Sequence, residues 1–532
     1  MSATHWDGLG ISRARQESIV DRKSSTAFGR IATRFGLVLE GLIACSVALA
    51  FVLICRSIDV DPVDRVGQVS GLAGVQLRAA IFGGIILATT LLQRRFAYSP
   101  LGFDRVVMAA TAGMLTAVTA GGNVVALHDT PWGLFAYFGD AGRIAEWADA
   151  TVAGGSITVP HYPPTYLWLV GLYAKFRGTP TAFALKDVGI ITTCLVGPVS
   201  YLSWRIVVSA RRALLLALVL SVVLMDLYKP YSTLVLVTFP ALAVALVALA
   251  RRLSQVELRV LAWRSGAIGA SFGALFTIYP GWFVWAAPGL VIALVGSTIW
   301  RAGLRRSFTF LMATLGGFLV VAGAYLRDFL GVTEEADAYF YFDTFVEPAY
   351  IAMFRGDLPG NVGPWPPPGE FGGVGLFTVG LLSAVTVALW VGRSHPGVAT
   401  GALLAAGGWV IRMLLASRMF ETQTVQLYPR TTSAILAALL VTASFGFFVV
   451  YDRLSELGSL STRNRLSPPA VAVTFFALAF AAVAGSSTAD RYMPSESGLG
   501  VLARYSHITP LPDGSCPRFA PGTTCTLFVP PK

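Results

Sequence analysis

Apolar residues in this chain are gathered into blocks of roughly 17–20, the length a helix needs to cross a bilayer. The blocks are Phe35–Cys55, Val75–Leu92, Val106–Leu127, Val188–Trp204, Ala213–Leu227, Leu234–Ala250 and Ser265–Trp282. Six more follow: Phe283–Trp300, Phe308–Leu326, Gly373–Val391, Val398–Leu415, Ser433–Val450 and Ala470–Ala484. The pattern predicts an all-α polytopic membrane protein, a bundle of about 13 transmembrane helices. Residues 1–34 form a polar, basic tail with Arg13, Arg15, Arg22, Lys23, Arg30 and Arg34. No short apolar region with a small-residue cleavage site precedes them, so the first block is expected to be an uncleaved anchor.

Charge sets the expected orientation. With the N-terminus inside, the inner loops carry Arg94, Arg95, Arg105, Arg205, Arg211, Arg212, Arg251, Arg252, Arg259, Arg264 and later arginines. The outer loops carry Asp59, Asp61, Asp64, Asp129, Asp140, Glu146, Asp149, Glu334, Glu335 and Asp337. This segregation follows the positive-inside rule and predicts a multi-pass membrane protein with a cytoplasmic N-terminus. Residues 35–484 then form the transmembrane domain, and 485–532 an extracytoplasmic tail. Two outer connections are long, 128–187 and 327–372, and long loops are usually functional. The chemistry is therefore expected at the outer face.

Composition narrows the class. Of 532 residues, 55% are hydrophobic and 13% charged, against about 25% charged in soluble domains. Soluble, nuclear and fibrous readings fall away. The net charge of +11 is explained by the inner loops, so no nucleic-acid partner is inferred. Cys516 and Cys525 share a compartment that permits a disulfide, with two free thiols as the alternative. Cys45, Cys55 and Cys194 lie in or at the ends of spans, as packing residues do. Few charges sit near span centres, and no inverted repeat is evident, which weakens a transporter reading. Glu40 is the exception, either a satisfied packing carboxylate or a functional one.

The first long outer loop holds Phe138-Gly139-Asp140-Ala141-Gly142-Arg143, an amphipathic stretch Ile144–Val152, the hinge Gly154-Gly155, then His161-Tyr162-Pro163-Pro164-Thr165-Tyr166-Leu167-Trp168. The apolar stretch Tyr166–Phe176 is too short to cross alone and reads as a juxtamembrane or re-entrant helix that Pro163-Pro164 can begin. Further on come Tyr228-Lys229-Pro230-Tyr231, Tyr279-Pro280-Gly281-Trp282 and Gln426-Leu427-Tyr428-Pro429-Arg430-Thr431. In order, these segments resemble the GT-C superfamily of polyprenyl-phosphate-sugar glycosyltransferases. They are most similar to the actinobacterial galactan 5-O-arabinofuranosyltransferases (AftA-type), over roughly residues 100–450. Those enzymes end in a larger soluble outer domain, which the segment 485–532 does not match.

The resemblance implies a GT-C-like bundle, decaprenylphosphoryl-arabinofuranose as donor, cell-wall galactan as acceptor, and inverting displacement. Such chemistry needs a base for the acceptor hydroxyl and cations for the departing phosphate. Asp140 is the general-base candidate; its alternative role is N-cap of the helix at 141–152. Basic residues are scarce on the outer side, so Lys186, Lys229, Arg418 and Arg430 are candidates for the donor phosphate, with interfacial snorkelling as the alternative. Arg143, beside Asp140, His161, Tyr162, Trp168, Trp282 and Tyr428 are candidates for substrate contact. No protein metal site is proposed, although Glu334-Glu335-Ala336-Asp337 has the oxygen ligands for a divalent cation. No glycine-rich nucleotide cradle occurs, so a sugar nucleotide donor is unsupported. Alternatives are another polyprenyl-phosphate sugar moved onto a lipoglycan, or a lipid-linked-sugar flippase.

Overall fold

The computed structural model describes residues 27–95, 103–154, 162–297, 303–331, 376–423, 428–456, 470–523 and 525. Residues 1–26, His161 and most of the second long loop, including the 334–337 acidic cluster, lie outside them.

The described residues form an all-α polytopic bundle, with helices α1 (Ala27–Cys55), α2 (Arg65–Arg95), α3 (Phe103–Ala126), α4 (Gly139–Val152), α5 (Pro164–Arg177), α6 (Thr181–Arg205), α7 (Ala210–Val223) and α8 (Pro230–Ala250). Then come α9 (Leu258–Ile278), α10 (Gly281–Gly296), α11 (Leu304–Leu330), α12 (Leu376–Gly392), α13 (Pro396–Thr422), α14 (Thr431–Glu456), α15 (Ala470–Arg491) and α16 (Gly500–Ile508). Nine of these are both long and apolar enough to cross a membrane. Every expected span overlaps a helix, but α7, α10 and α12 have only 14, 16 and 17 residues. The expected block Ala213–Leu227 stops at Val223, before the Asp226 turn described below. The block Ser265–Trp282 stops at Ile278, because Pro280 pushes Tyr279 into extended backbone (φ −161°, ψ 107°). Trp282 therefore belongs to α10.

α3 is the hub. It packs against α1, α2, α6, α7 and α15, and 89% of its apolar window is buried. Hydrocarbon gives helices no hydrophobic reason to associate, so close approach through small residues must supply the contact. A Cβ on Gly113 would lie 2.5 Å from the Ala44 carbonyl oxygen, and one on Gly122 would lie 2.2 Å from the Ala489 Cβ. At the periphery α9 packs along α11, whose apolar window is only 11% buried and turns Val320, Phe308 and Leu319 outward.

Glu40 is the buried charge inside this bundle that the sequence left open. Arg205 forks onto it at 2.7 and 3.1 Å, and the Tyr201 hydroxyl donates to it at 2.8 Å. Glu40 is thus a satisfied packing carboxylate that ties α1 to α6. Removing one member strands the other in a low dielectric. Glu40→Leu should cost about 3–5 kcal/mol of stability, read as a lowered thermal midpoint in detergent. Glu40→Leu combined with Arg205→Leu should recover most of it. A single variant that melts like the parent would discount the pair.

Candidate functional site

The site begins with one carboxylate in the turn between α7 and α8. Asp226 Oδ1 accepts the backbone N–H of Tyr228 at 2.9 Å and of Lys229 at 3.3 Å. That is the Asx-turn habit of aspartate. The same oxygen accepts the Tyr492 hydroxyl at 3.1 Å, and the Asp226 N–H donates to Thr233 Oγ1 at 3.2 Å. Pro230 then opens α8, where a missing N–H costs nothing. The turn so built presents Tyr228 and Lys229 to the start of α4.

There the Lys229 ammonium forms an ion pair with the Asp140 carboxylate, both partly buried. The sequence offered Arg143 as the neighbour of Asp140; it is exposed one turn further along α4, and Lys229 takes the pairing. The capping role is corrected too. Asp140 is the second residue of α4, behind Phe138, which is an N-cap without a side-chain bond. Its carboxylate is therefore not committed to the helix. The N–H groups of Asp140 and Ala141 face the Tyr228 hydroxyl instead.

The backbone leading into Asp140 is strained. Phe135 and Ala136 have φ of 69° and 50°, and Gly139 follows at 53°. Left-handed backbone in a bulky residue persists only where its surroundings impose it, and it clusters at functional sites. Here α16 imposes it. The Phe135 N–H donates to the Leu502 carbonyl at 2.8 Å, and Ser506 Oγ donates to the Gly133 carbonyl at 2.6 Å. Thr130 Oγ1 donates to the Ser506 carbonyl at 2.6 Å and Trp132 Nε1 to that of Thr509 at 3.2 Å. The rings of Phe135 and Phe138 each meet Tyr505 at 5.1 Å.

Asp140, Lys186, Lys229, Tyr166, Tyr228 and Tyr231 line a cavity of about 40 Å³. A row of phenols leads away from it. Tyr162 and Tyr231 share a hydrogen bond of 3.3 Å between hydroxyls, and Tyr166 stacks on Tyr231 at 4.2 Å. Tyr231 meets Tyr279 edge-on at 6.1 Å, and Arg430 donates to the Tyr279 hydroxyl at 2.9 Å. Burial, followed by the Asp140 charge, pushes the Tyr162 and Tyr228 phenols well above their ordinary range. Both stay neutral at physiological pH and keep a proton to donate. Arg412, beside this row, lies over the Tyr428 ring at 4.2 Å and donates to Thr431 and Thr432 at 2.8 and 2.6 Å.

Of the residues singled out in the sequence, Asp140, Lys186 and Lys229 share the cavity, with Tyr162, Tyr428 and Arg430 in or beside the phenol row. Lys186 is heavily engaged: its ammonium donates to the Leu127 and Thr130 carbonyls at 2.7 and 2.5 Å, which leaves one N–H. Trp282 is buried and donates to the Ser232 carbonyl at 2.8 Å, joining α10 to α8. Trp168 is 46% exposed on α5, and Arg418 is exposed on α13; neither contributes to the cavity. His128, Asp59 and Asp129 have metal-ligand chemistry, but Arg518 already bridges the two carboxylates at 3.4 and 2.6 Å. Cys516 and Cys525 are joined in a disulfide in this same segment. Sequence reasoning missed Asp226, Tyr166 and the whole contribution of α16. Asp226 was readable as an Asx-turn residue two and three places before Tyr228 and Lys229.

No family model matches the chain, and no curated protein does. Among solved structures it is similar to the archaeal oligosaccharyltransferase AglB from Archaeoglobus fulgidus, in complex with an inhibitory peptide and a dolichol-phosphate. The identity is 16% and the TM-score 0.34, over 72% of this chain and 56% of that one. It is also similar to the apo form of the Archaeoglobus fulgidus oligosaccharyltransferase, at 16% identity and a TM-score of 0.32 over the same shares. The chain thus spans little more than half the length of the chains it matches.

His507 supports the strained segment from beneath. Its Nε2–H donates to the Ala126 carbonyl at 2.9 Å, while its buried Nδ1 has no partner among the described residues. Burial, with lesser help from nearby Lys186, pulls its pKa from 6.5 to about 4. Above about pH 6.5 the ring is neutral in folded and unfolded chains alike. Below that the unfolded chain binds a proton the folded one refuses, so stability falls as pH drops towards 4 and then levels. The loss should total on the order of 3 kcal/mol. Melting curves between pH 7.5 and 4 test this, because His507→Gln should flatten that part of the profile. An unchanged slope in the variant would assign the effect elsewhere.

Proposed function

We propose that this chain is an integral-membrane glycosyltransferase that draws its sugar from a polyprenyl-phosphate carrier. The observation that carries this reading is the pairing of Asp140 with Lys229 in a tyrosine-lined cavity at one end of an apolar bundle. A carboxylate and an ammonium held together are the two charges the reaction needs, one for the acceptor proton and one for the phosphate. In the free enzyme each neutralises the other. An arriving donor phosphate competes for Lys229 and releases the carboxylate to the acceptor.

The acceptor hydroxyl then gives its proton to Asp140 as its oxygen bonds to the anomeric carbon. The bond from that carbon to the phosphate oxygen breaks, and its electron pair leaves with the polyprenyl phosphate. Lys229 and Arg430 offset the growing charge; in a site shielded from water such contacts are worth several kcal/mol. The neutral hydroxyls of Tyr162 and Tyr228 can donate to the phosphate or to the sugar. One displacement inverts the anomeric carbon and leaves no sugar on the enzyme.

The finer assignment rests on the ordered motif resemblance. It names arabinofuranose as the sugar, decaprenyl phosphate as the carrier and cell-wall galactan as the acceptor. On the positive-inside orientation the site faces the outside of the plasma membrane.

The test is incubation of purified protein with labelled polyprenyl-phospho-arabinofuranose and a synthetic galactan oligomer, followed by linkage analysis. Asp140→Asn should lower transfer by about 10²–10⁴-fold while the melting curve stays near that of the parent. Undiminished transfer would remove Asp140 from the mechanism. Lys229→Met should cost about 10²-fold or more in turnover; a variant with full turnover would assign the phosphate elsewhere. Carrier moved across vesicles without consumption would favour a flippase over a transferase.

A further inference from the structure

The opposite end of the bundle holds a much larger space that the proposed reaction does not use. It is a cavity of about 1260 Å³, lined by the start of α3, the α6–α7 turn, the far half of α8, the first half of α9, the start of α13 and the end of α14. That exceeds the roughly 300–1,000 Å³ of ordinary ligand pockets. Its depth is apolar, with Leu215, Leu242, Ile268 and Phe445 among the wall residues.

Its rim is cationic. Four arginines and two aspartates line it, a surplus of two positive charges. Asp104 pairs with Arg211 and Asp452 with Arg212. Arg252 and Arg264 are exposed and have no carboxylate partner among the described residues. Trp263, beside Arg264, is 69% exposed, as tryptophan is where a bilayer meets water. A hydrocarbon-lined space beneath two unpaired guanidinium groups matches a molecule with an apolar chain and an anionic head. Guanidinium binds phosphate through paired hydrogen bonds, and basic pockets between spans select anionic lipid headgroups.

We propose that this cavity is a binding site for one anionic diacyl phospholipid from the leaflet at that end of the bundle. Its phosphate lies between Arg252 and Arg264, and an acyl chain fills the apolar depth. The lipid is not a reactant; it completes the packing between α8, α9 and α14 where the described residues leave a space.

Native mass spectrometry of the full chain, delipidated and then offered equal amounts of phosphatidylglycerol and phosphatidylcholine, tests this. One phosphatidylglycerol should be retained, with at least tenfold preference, and should raise the melting temperature. Arg252→Gln with Arg264→Gln should abolish both the preference and the shift. Arg259→Gln, which removes an arginine of α9 outside the cavity, should keep both. Size-exclusion profiles confirm that the variants are folded. Equal retention of the two lipids, or full preference in the double variant, overturns the proposal. Displacement of phosphatidylglycerol by an equal amount of polyprenyl monophosphate overturns the phospholipid assignment.

Discussion

An unpaired peptide group in hydrocarbon costs several kcal/mol, and this one penalty decides where the molecule can be irregular. Across the membrane the chain has to be helical. Only at the bundle ends can it turn, bend or expose N–H and C=O groups. The segment 127–138, the Asp226–Lys229 turn, the Tyr279-Pro280 break and the short 3-10 turn Tyr428–Arg430 all fall at the same end. Each brings polar side chains with it. The candidate site is the place where four interruptions of the helical pattern converge.

What those interruptions achieve is prior engagement. Asp140 meets Lys229, Arg430 meets Tyr279, Arg412 meets Thr431 and Thr432, and Lys186 meets two carbonyls. Groups held this way lose little freedom when a charged substrate arrives, which is how fixed dipoles outperform water. The strained backbone at Phe135 and Ala136 belongs to the same economy of motion, since α16 holds it in a shape it would not adopt alone.

Much of the bundle was legible from block lengths, because a bilayer imposes a thickness on every crossing segment. The helix start at Pro164 was legible for a local reason, the fixed φ of proline. The nearness of Asp140 and Lys229 was not. They lie far apart in sequence, and nothing in either segment announces the other. Arg143 was the neighbour in view because spacing along one helix is all that a sequence displays. The tail beyond α15 looked like an appendage, whereas α16 hydrogen-bonds to the site loop at Thr130, Gly133 and Phe135. Its signal was faint: a nine-residue helix with a lone buried histidine.

The clasp between that helix and the loop has a bearing on biogenesis. Thr130 and Ser506, which hydrogen-bond to each other, are 376 positions apart. A ribosome delivers the first long before the second. Through most of translation the loop ahead of Asp140 has no α16 to bend it, and the bonds to Leu502 and Ser506 can form only after that helix has been made. A half-made copy in the membrane therefore lacks the hydrogen bonds that bend this loop.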